Sequence, residues 1–121
     1  MVFVDLSKPV PMMKLYNETC FECSKLITQK YSTSFSLGIK AFDKRFHYPI
    51  YAIYGFVRYA DEIVDTFHQY DKPKLISNFR HETFEAIRNR ISLNPVLHSF
   101  QQVVNQYYLD HNQIDAFLKS M

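Results

Sequence analysis

Residues 47–68 read HYPIYAIYGFVRYADEIVDTFH, and how this stretch winds decides the fold. As an α-helix of about 3.6 residues per turn it sets Tyr54, Arg58, Asp61 and Asp65 on one stripe, at spacings of four, three and four. Ile50, Tyr51, Ile53, Phe56, Val57, Tyr59, Ala60, Ile63, Val64 and Phe67 fill the other directions, so the helix is apolar on almost every side and belongs inside a helical bundle. The stripe is a polar column in an apolar helix. Propensity does not account for it. Asp61, Glu62 and Asp65 stand near the C-terminal end, where the helix dipole disfavours each by a few tenths to about 1 kcal/mol.

Like charges gathered in a partly dry place call for a compensating cation. Asp61 and Asp65 on successive turns, flanked by Glu62, suit magnesium. That ion takes hard oxygen ligands, keeps several waters, and joins one or two carboxylates to substrate phosphates. The other reading is a solvated helix end whose acids pair with neighbouring Arg or Lys. Spacing admits both.

Composition narrows the remaining choices. A chain of 121 residues makes one domain or part of one. Two glycines against nine Tyr and eleven Phe favour helices around an aromatic interior over a β-rich fold. A net charge of +2 with scattered basic residues leaves no nucleic-acid footprint. No apolar run reaches the roughly 18 to 20 residues that span a bilayer, and no signal-peptide pattern opens the chain, so a cytosolic protein is expected. Cys20 and Cys23 form a single CxxC in a helical pattern, without the extra ligands of a zinc site or the βαβ setting of a redox motif. They read as reduced helix residues.

Outward from the central stretch, residues 1–13 contain two prolines near their end and no periodicity, and are expected to be a loose leader to a helical part at 14–121. Tyr16, Cys20, Cys23, Ile27 and Tyr31 mark the inner face of an amphipathic helix, with its polar side toward water. Ser32, Thr33, Ser34 and Ser36 then crowd around Phe35 ahead of Gly38, which is expected to relax the backbone. Such hydroxyls suit an ordinary helix cap or an anion-accepting turn. Asp43 is placed to cap the central helix, with Pro49 in its first turns. A scaffold helix is predicted over 72–90, with Leu75, Ile76, Phe79, Phe84, Ile87 and Ile91 inward. Asn94 and Pro95 open another through about Tyr108, and Asp110 or Asn112 caps a last one. The prediction is an all-α bundle of five or six helices. It should be incomplete, because a central helix that is apolar all round needs neighbours on every side.

A Ser-rich STSF turn at 32–35, then AIYGFVRYADEIVD at 52–65, then a scaffold helix and an NP-initiated helix follow in order. This arrangement closely resembles the opening part of the squalene/phytoene synthase family, the head-to-head prenyl synthases of the all-α isoprenoid synthase fold. The resemblance covers roughly residues 18–121 and is most specific over 32–65. It implies that Asp61 and Asp65, with Glu62 in the second acidic place, form the first aspartate-rich motif and bind magnesium, or manganese in its stead, to grip a prenyl diphosphate. It implies that Tyr54 and Arg58 line the pocket and contact the diphosphate, and that Ser32, Ser34 and Phe35 form the turn that closes over it. Tyr51, Tyr54 and Phe35 would then offer ring faces to an allylic cation, each contact worth roughly 0.5 to 2 kcal/mol. In the family two prenyl diphosphates join through a cyclopropyl intermediate to give phytoene, squalene or a related hydrocarbon. NADPH is implied only for a squalene-type product. A greasy product implies peripheral membrane contact.

Two departures from the family pattern matter. Thr33 stands between the serines where the family often has Lys or Arg. After Asp65 no second aspartate-rich motif follows: Asp71 is alone, and Asp110 and Asp115 are five apart. The chain is therefore expected to be the N-terminal part of such an enzyme, inactive alone, and to self-associate through an exposed apolar face. A non-enzymatic helical interaction protein is the alternative, although it would have no use for the intact stripe. A carboxylate-bridged metal bundle is suggested by Asp65 and His68, but His81 with Glu82 and His98 near Asn94 do not supply the second pair. His68 reads as a cation favoured at a helix C-terminus.

Overall fold

The computed structural model describes residues 9–121, and among them all regular structure is helical. α1 runs Pro9–Tyr31, α2 Thr33–Ile39, a 3-10 turn Lys44–Phe46, α3 His47–Asp65, α4 Lys72–Asn89, α5 Pro95–Tyr107 and α6 His111–Lys119. The all-α expectation holds. α1 begins at Pro9 where the sequence suggested Lys14, because a proline in the first turn gives up no helical hydrogen bond. The earlier part of the expected leader lies outside the described residues. None of the described helices is long and apolar enough to cross a membrane.

α3 packs on α1, α4 and α5, while α1 also lies along α5 and α4 touches α6. The core is built around Phe56, whose ring stacks on Phe100 at 3.8 Å between centroids and on Phe79 at 5.5 Å. Leu97, Val104, Ile63, Ile87 and Leu118 close this cluster. Burial of each large side chain contributes about 1.5 to 3 kcal/mol, and the aromatic geometry about 0.5 to 1.5 more per pair.

The α1–α3 seam is made differently from the expected amphipathic pattern. Cys20, Ser24 and Thr28, four residues apart, are all buried there, so part of the supposed water-facing side of α1 faces inward. Small side chains let two helix backbones approach. A Cβ at Gly55 of α3 would lie 3.2 Å from Ser24 Oγ and 3.4 Å from its Cα. Thr28 satisfies its own hydroxyl by donating to the Ser24 carbonyl at 2.9 Å. Both cysteines are free, and burial pushes the Cys20 thiol up, which keeps it protonated.

Several helix ends differ from expectation for local reasons. Asp43 caps the 3-10 turn, accepting the Arg45 N–H at 3.1 Å, and α3 continues directly from that turn without a side-chain cap. Gly38 lies inside α2. α3 stops at Asp65, and its C-terminal carbonyl at Val64 is met by Lys72 Nζ at 2.6 Å, which also donates to His68 Nδ1 at 2.6 Å. The cation at that end is therefore Lys72, with His68 as its acceptor. α4 ends at Asn89 on a left-handed Arg90, which turns Ile91 out to half exposure. Asn94 and Asp110 cap α5 and α6 as expected.

A buried polar knot ties α1 to the α4–α5 connection. The Tyr16 hydroxyl donates to the Ser92 carbonyl. His98, fully buried, accepts the Ser92 N–H on Nδ1 at 3.2 Å, so the ring proton sits on Nε2 and is donated to Asn17 Oδ1 at 2.7 Å. Burial lowers the His98 pKa, since a charged ring would stand in a dry site with no carboxylate beside it. Stability is thus intact above the ordinary histidine value near 6.5 and falls as pH drops below it, because only the unfolded chain takes the proton. Urea unfolding between pH 7.5 and 5.5 should lose up to about 1.4 kcal/mol per pH unit from this group. His98→Gln should flatten that slope, and an equal slope in the variant would exclude the assignment.

Candidate functional site

α3 presents Tyr54, Arg58, Asp61 and Asp65 along the side that borders the end of α1 and the start of α2. Arg58 is the hub. Its Nη2 lies 3.0 Å from Glu62 Oε2 and 3.9 Å from Asp65 Oδ2, and its Nη1 lies 4.0 Å from Asp61 Oδ2. Its guanidinium sits over the Tyr31 ring, with Cζ 4.8 Å from the centroid. The Nε of Arg58 is buried without a hydrogen-bond partner. A buried donor left unpaired costs about 1 to 3 kcal/mol, so it marks a place where an anion would be favoured.

The three acids are not equivalent. Glu62 is the enclosed one, with 18% of its side chain exposed, and the polar groups of Thr66, Arg58 and Tyr31 around it, Arg58 donating at 3.0 Å, hold its carboxyl below the usual range. Burial opposes that shift without reversing it. The same contact raises the Tyr31 hydroxyl, because a phenolate would face the Glu62 charge. Asp61 and Asp65 are more open, at 37% and 63%. Among the described residues no three His, Cys, Asp or Glu side chains gather as a metal cage. Glu62 is turned to Arg58, which leaves two accessible carboxylates on successive turns. Two hard oxygen donors beside open space fit magnesium, which fills most of its coordination shell with water and phosphate.

The Ser-rich turn resolves into a cap with an aromatic neighbour. Ser32 caps α2, its Oγ accepting the Phe35 N–H at 3.1 Å, which leaves its O–H free to donate. Ser34 is exposed. Phe35 stacks on Tyr54 at 4.9 Å and 25°, which joins the turn to the stripe. Tyr51 is 3% exposed and lies among the buried residues of the bundle. Its position, about 60° round the helix from Tyr54, points it into the protein and away from the open side.

Two hollows flank the stripe. One of about 590 Å³ is lined by Tyr31, Tyr59, Glu62, Phe67 and Phe79. Another of about 690 Å³ is lined by Ser32, Ser34, Phe35, Phe42 and Ile50. A family model described as squalene/phytoene synthase matches residues 28–121. The chain belongs to the squalene/phytoene synthase family. That makes it a squalene/phytoene synthase-like protein of the prenyltransferase type in general, and its helical fold agrees with the isoprenoid synthase fold. No curated protein and no solved structure matches the chain. The matched residues of this squalene/phytoene synthase-like chain include the whole stripe and the STSF turn, together with Tyr31.

Tyr31, whose ring lies beneath Arg58, is a neighbour of the stripe that the spacing on α3 does not reveal. Tyr31 was assigned only to an apolar helix face, although its place directly before the STSF turn is the signal that could have found it. The division of labour among the acids is testable by chemical denaturation. Glu62→Gln and Arg58→Gln should each lower stability by about 1 to 2 kcal/mol, through loss of a partly buried, charge-assisted pair. Asp65→Asn should stay within about 0.5 kcal/mol of the parent, as an exposed charge 3.9 Å from its partner. A costlier Asp65 than Glu62 would reverse the assignment.

Proposed function

We propose that the chain supplies one wall of a magnesium-dependent site that binds and ionises a prenyl diphosphate, in a transferase that joins two such substrates head to head. The observation that carries this reading is Arg58, set among open carboxylates with an unpartnered, buried Nε and an aromatic pair close by. Asp61 and Asp65 would hold magnesium, or manganese in its stead. The bound metal supplies neutralisation of the charge that develops on a departing diphosphate. Arg58, about a fifth exposed, donates to the diphosphate oxygens through its guanidinium. Glu62 fixes Arg58 from below, a positioning role. Phe35 and Tyr54 present ring faces to the allylic cation left behind, and Ser32 and Ser34 offer hydroxyl donors from the turn.

The 121 residues alone are proposed to bind without turnover. An allylic cation needs a dry enclosure, and the stripe side of α3 lies open, with Asp65 63% and Ile53 more than a third exposed. That open side, continued by the groove between Ile53, Val57 and Phe117, is also proposed to drive self-association. Sedimentation should show concentration-dependent oligomers that Ile53→Ser removes, and a monomer at all concentrations would refute it.

Calorimetric titration with pyrophosphate tests the site. Binding should require magnesium, weaken at least tenfold in Asp61→Asn or Asp65→Asn, and weaken less in Glu62→Gln. Affinity indifferent to magnesium would overturn the reading. Hydrocarbon formed from farnesyl or geranylgeranyl diphosphate by this chain alone would overturn the proposed lack of turnover.

A further inference from the structure

The function proposed above makes no use of the hollow of about 590 Å³ between α3 and α4. It opens on the Tyr59 and Ile63 side of α3, and Tyr59 stands about 140° round the helix from Tyr54, so the stacked pair of Phe35 and Tyr54 belongs to another side. Four rings border the hollow. Phe79 is buried and Phe67 half-buried, while Tyr59 is more than a third exposed and Tyr31 half exposed, although Arg58 already lies over the Tyr31 ring. Glu62, Glu82 and the Asn78 amide share the walls with them. The charges around the hollow leave one carboxylate over. Glu62 is matched by Arg58 at 3.0 Å, and Glu85, further along α4, has Arg88 at 3.5 Å and the His81 ring at 3.6 Å. Lys72 donates to the Val64 carbonyl and to His68, and Arg80 donates to Asp115. Lys30 and Lys74 are exposed and do not line the hollow. Glu82 pairs with no cation among the described residues.

We propose that this hollow binds a small organic monocation, an ammonium group carried on an apolar body. Ring faces attract such a group through their quadrupole, Glu82 supplies the countercharge, and the apolar walls take the body. The volume lies in the range of about 300 to 1,000 Å³ that small ligands fill. A hard metal ion would have no use for the rings, and it would need more oxygen ligands: no three His, Cys, Asp or Glu side chains gather among the described residues. An anion would meet the charge of Glu82 without compensation. A neutral molecule would gain from the apolar walls alone. Only a cation uses rings and carboxylate together.

Amide NMR titration of the 121-residue chain with 2-phenylethylammonium, and with 2-phenylethanol as its neutral counterpart, tests the site in a buffer free of magnesium and phosphate. The ammonium should bind saturably, with shifts centred on Tyr31, Tyr59, Asn78 and Glu82, and the alcohol should bind about tenfold more weakly, the margin expected of a cation held by rings beside a carboxylate. Glu82→Gln should weaken the ammonium about tenfold and leave the alcohol unchanged. Tyr59→Leu, which keeps an apolar wall without the ring, should weaken the ammonium about threefold or more. Both positions are exposed, so both variants should fold as the parent does. Asp65→Asn on the stripe should leave ammonium binding unchanged. Equal affinity for the alcohol, full binding in Glu82→Gln or in Tyr59→Leu, shifts centred on Asp61 and Asp65, or the absence of saturable binding would each overturn the proposal. The titration contains neither magnesium nor diphosphate, so its failure and the failure of the diphosphate reading are recognisable separately.

Discussion

The close approach of α1 to α3 is the constraint on which the rest depends. It is set where Ser24 faces Gly55, at a spacing so tight that an added Cβ would press Ser24 back. Held at that distance, the last turn of α1 brings the Tyr31 ring over Arg58 and its hydroxyl toward Glu62. The chain then turns sharply enough at Ser32 for Phe35 to stack on Tyr54. A bulkier seam would move Tyr31 and Phe35 outward together. The stripe would keep its spacing and lose its setting.

Within that setting Arg58 resolves a conflict built into α3. Three acids near the negative end of a helix repel one another and the dipole, and one cation answers all three. Glu62 takes the best share at 3.0 Å, and Asp61 and Asp65 are left with contacts near 4 Å. Such loosely held carboxylates are available to a metal ion, because little is lost when Arg58 lets them go. Lys72 relieves the same helix end from the next element, so α4 contributes a cation to the electrostatics of that end.

How much of this could be read from the sequence follows from what each signal measures. Spacing alone placed Tyr54, Arg58, Asp61 and Asp65 on one side of α3, and the Asn94–Pro95 and Asp110 caps announced α5 and α6. Those are local facts, fixed by helix geometry. The depth of Tyr51 and the inward turn of Ser24 and Thr28 were not legible, because hydrophobic periodicity ranks side chains by polarity and a close helix seam selects them by size. Whether the acids await a metal or lean on an arginine was left open by spacing. In the structure Glu62 leans closely on Arg58, while Asp61 and Asp65 keep looser contacts with it and stay accessible. Tyr31 could not be paired with Arg58 before the angle of the α1–α2 turn was known.

The knot between α1 and the α4–α5 connection has a consequence for the order in which the protein can be made. Tyr16 and Ser92 are 76 residues apart, and Asn17 and His98 are 81 apart. A ribosome adding about 5 to 20 residues per second emits α1 and then leaves it for about 4 to 15 seconds before its partners on the connection and on α5 exist. For the first part of that interval, until α3 has followed, the Cys20, Ser24 and Thr28 face has no seat. Its small, partly polar composition makes that exposure tolerable, since a row of leucines in the same place would adhere to the first apolar surface it met. The side chains that let two helices lie close in the finished protein also keep the first of them soluble while it waits.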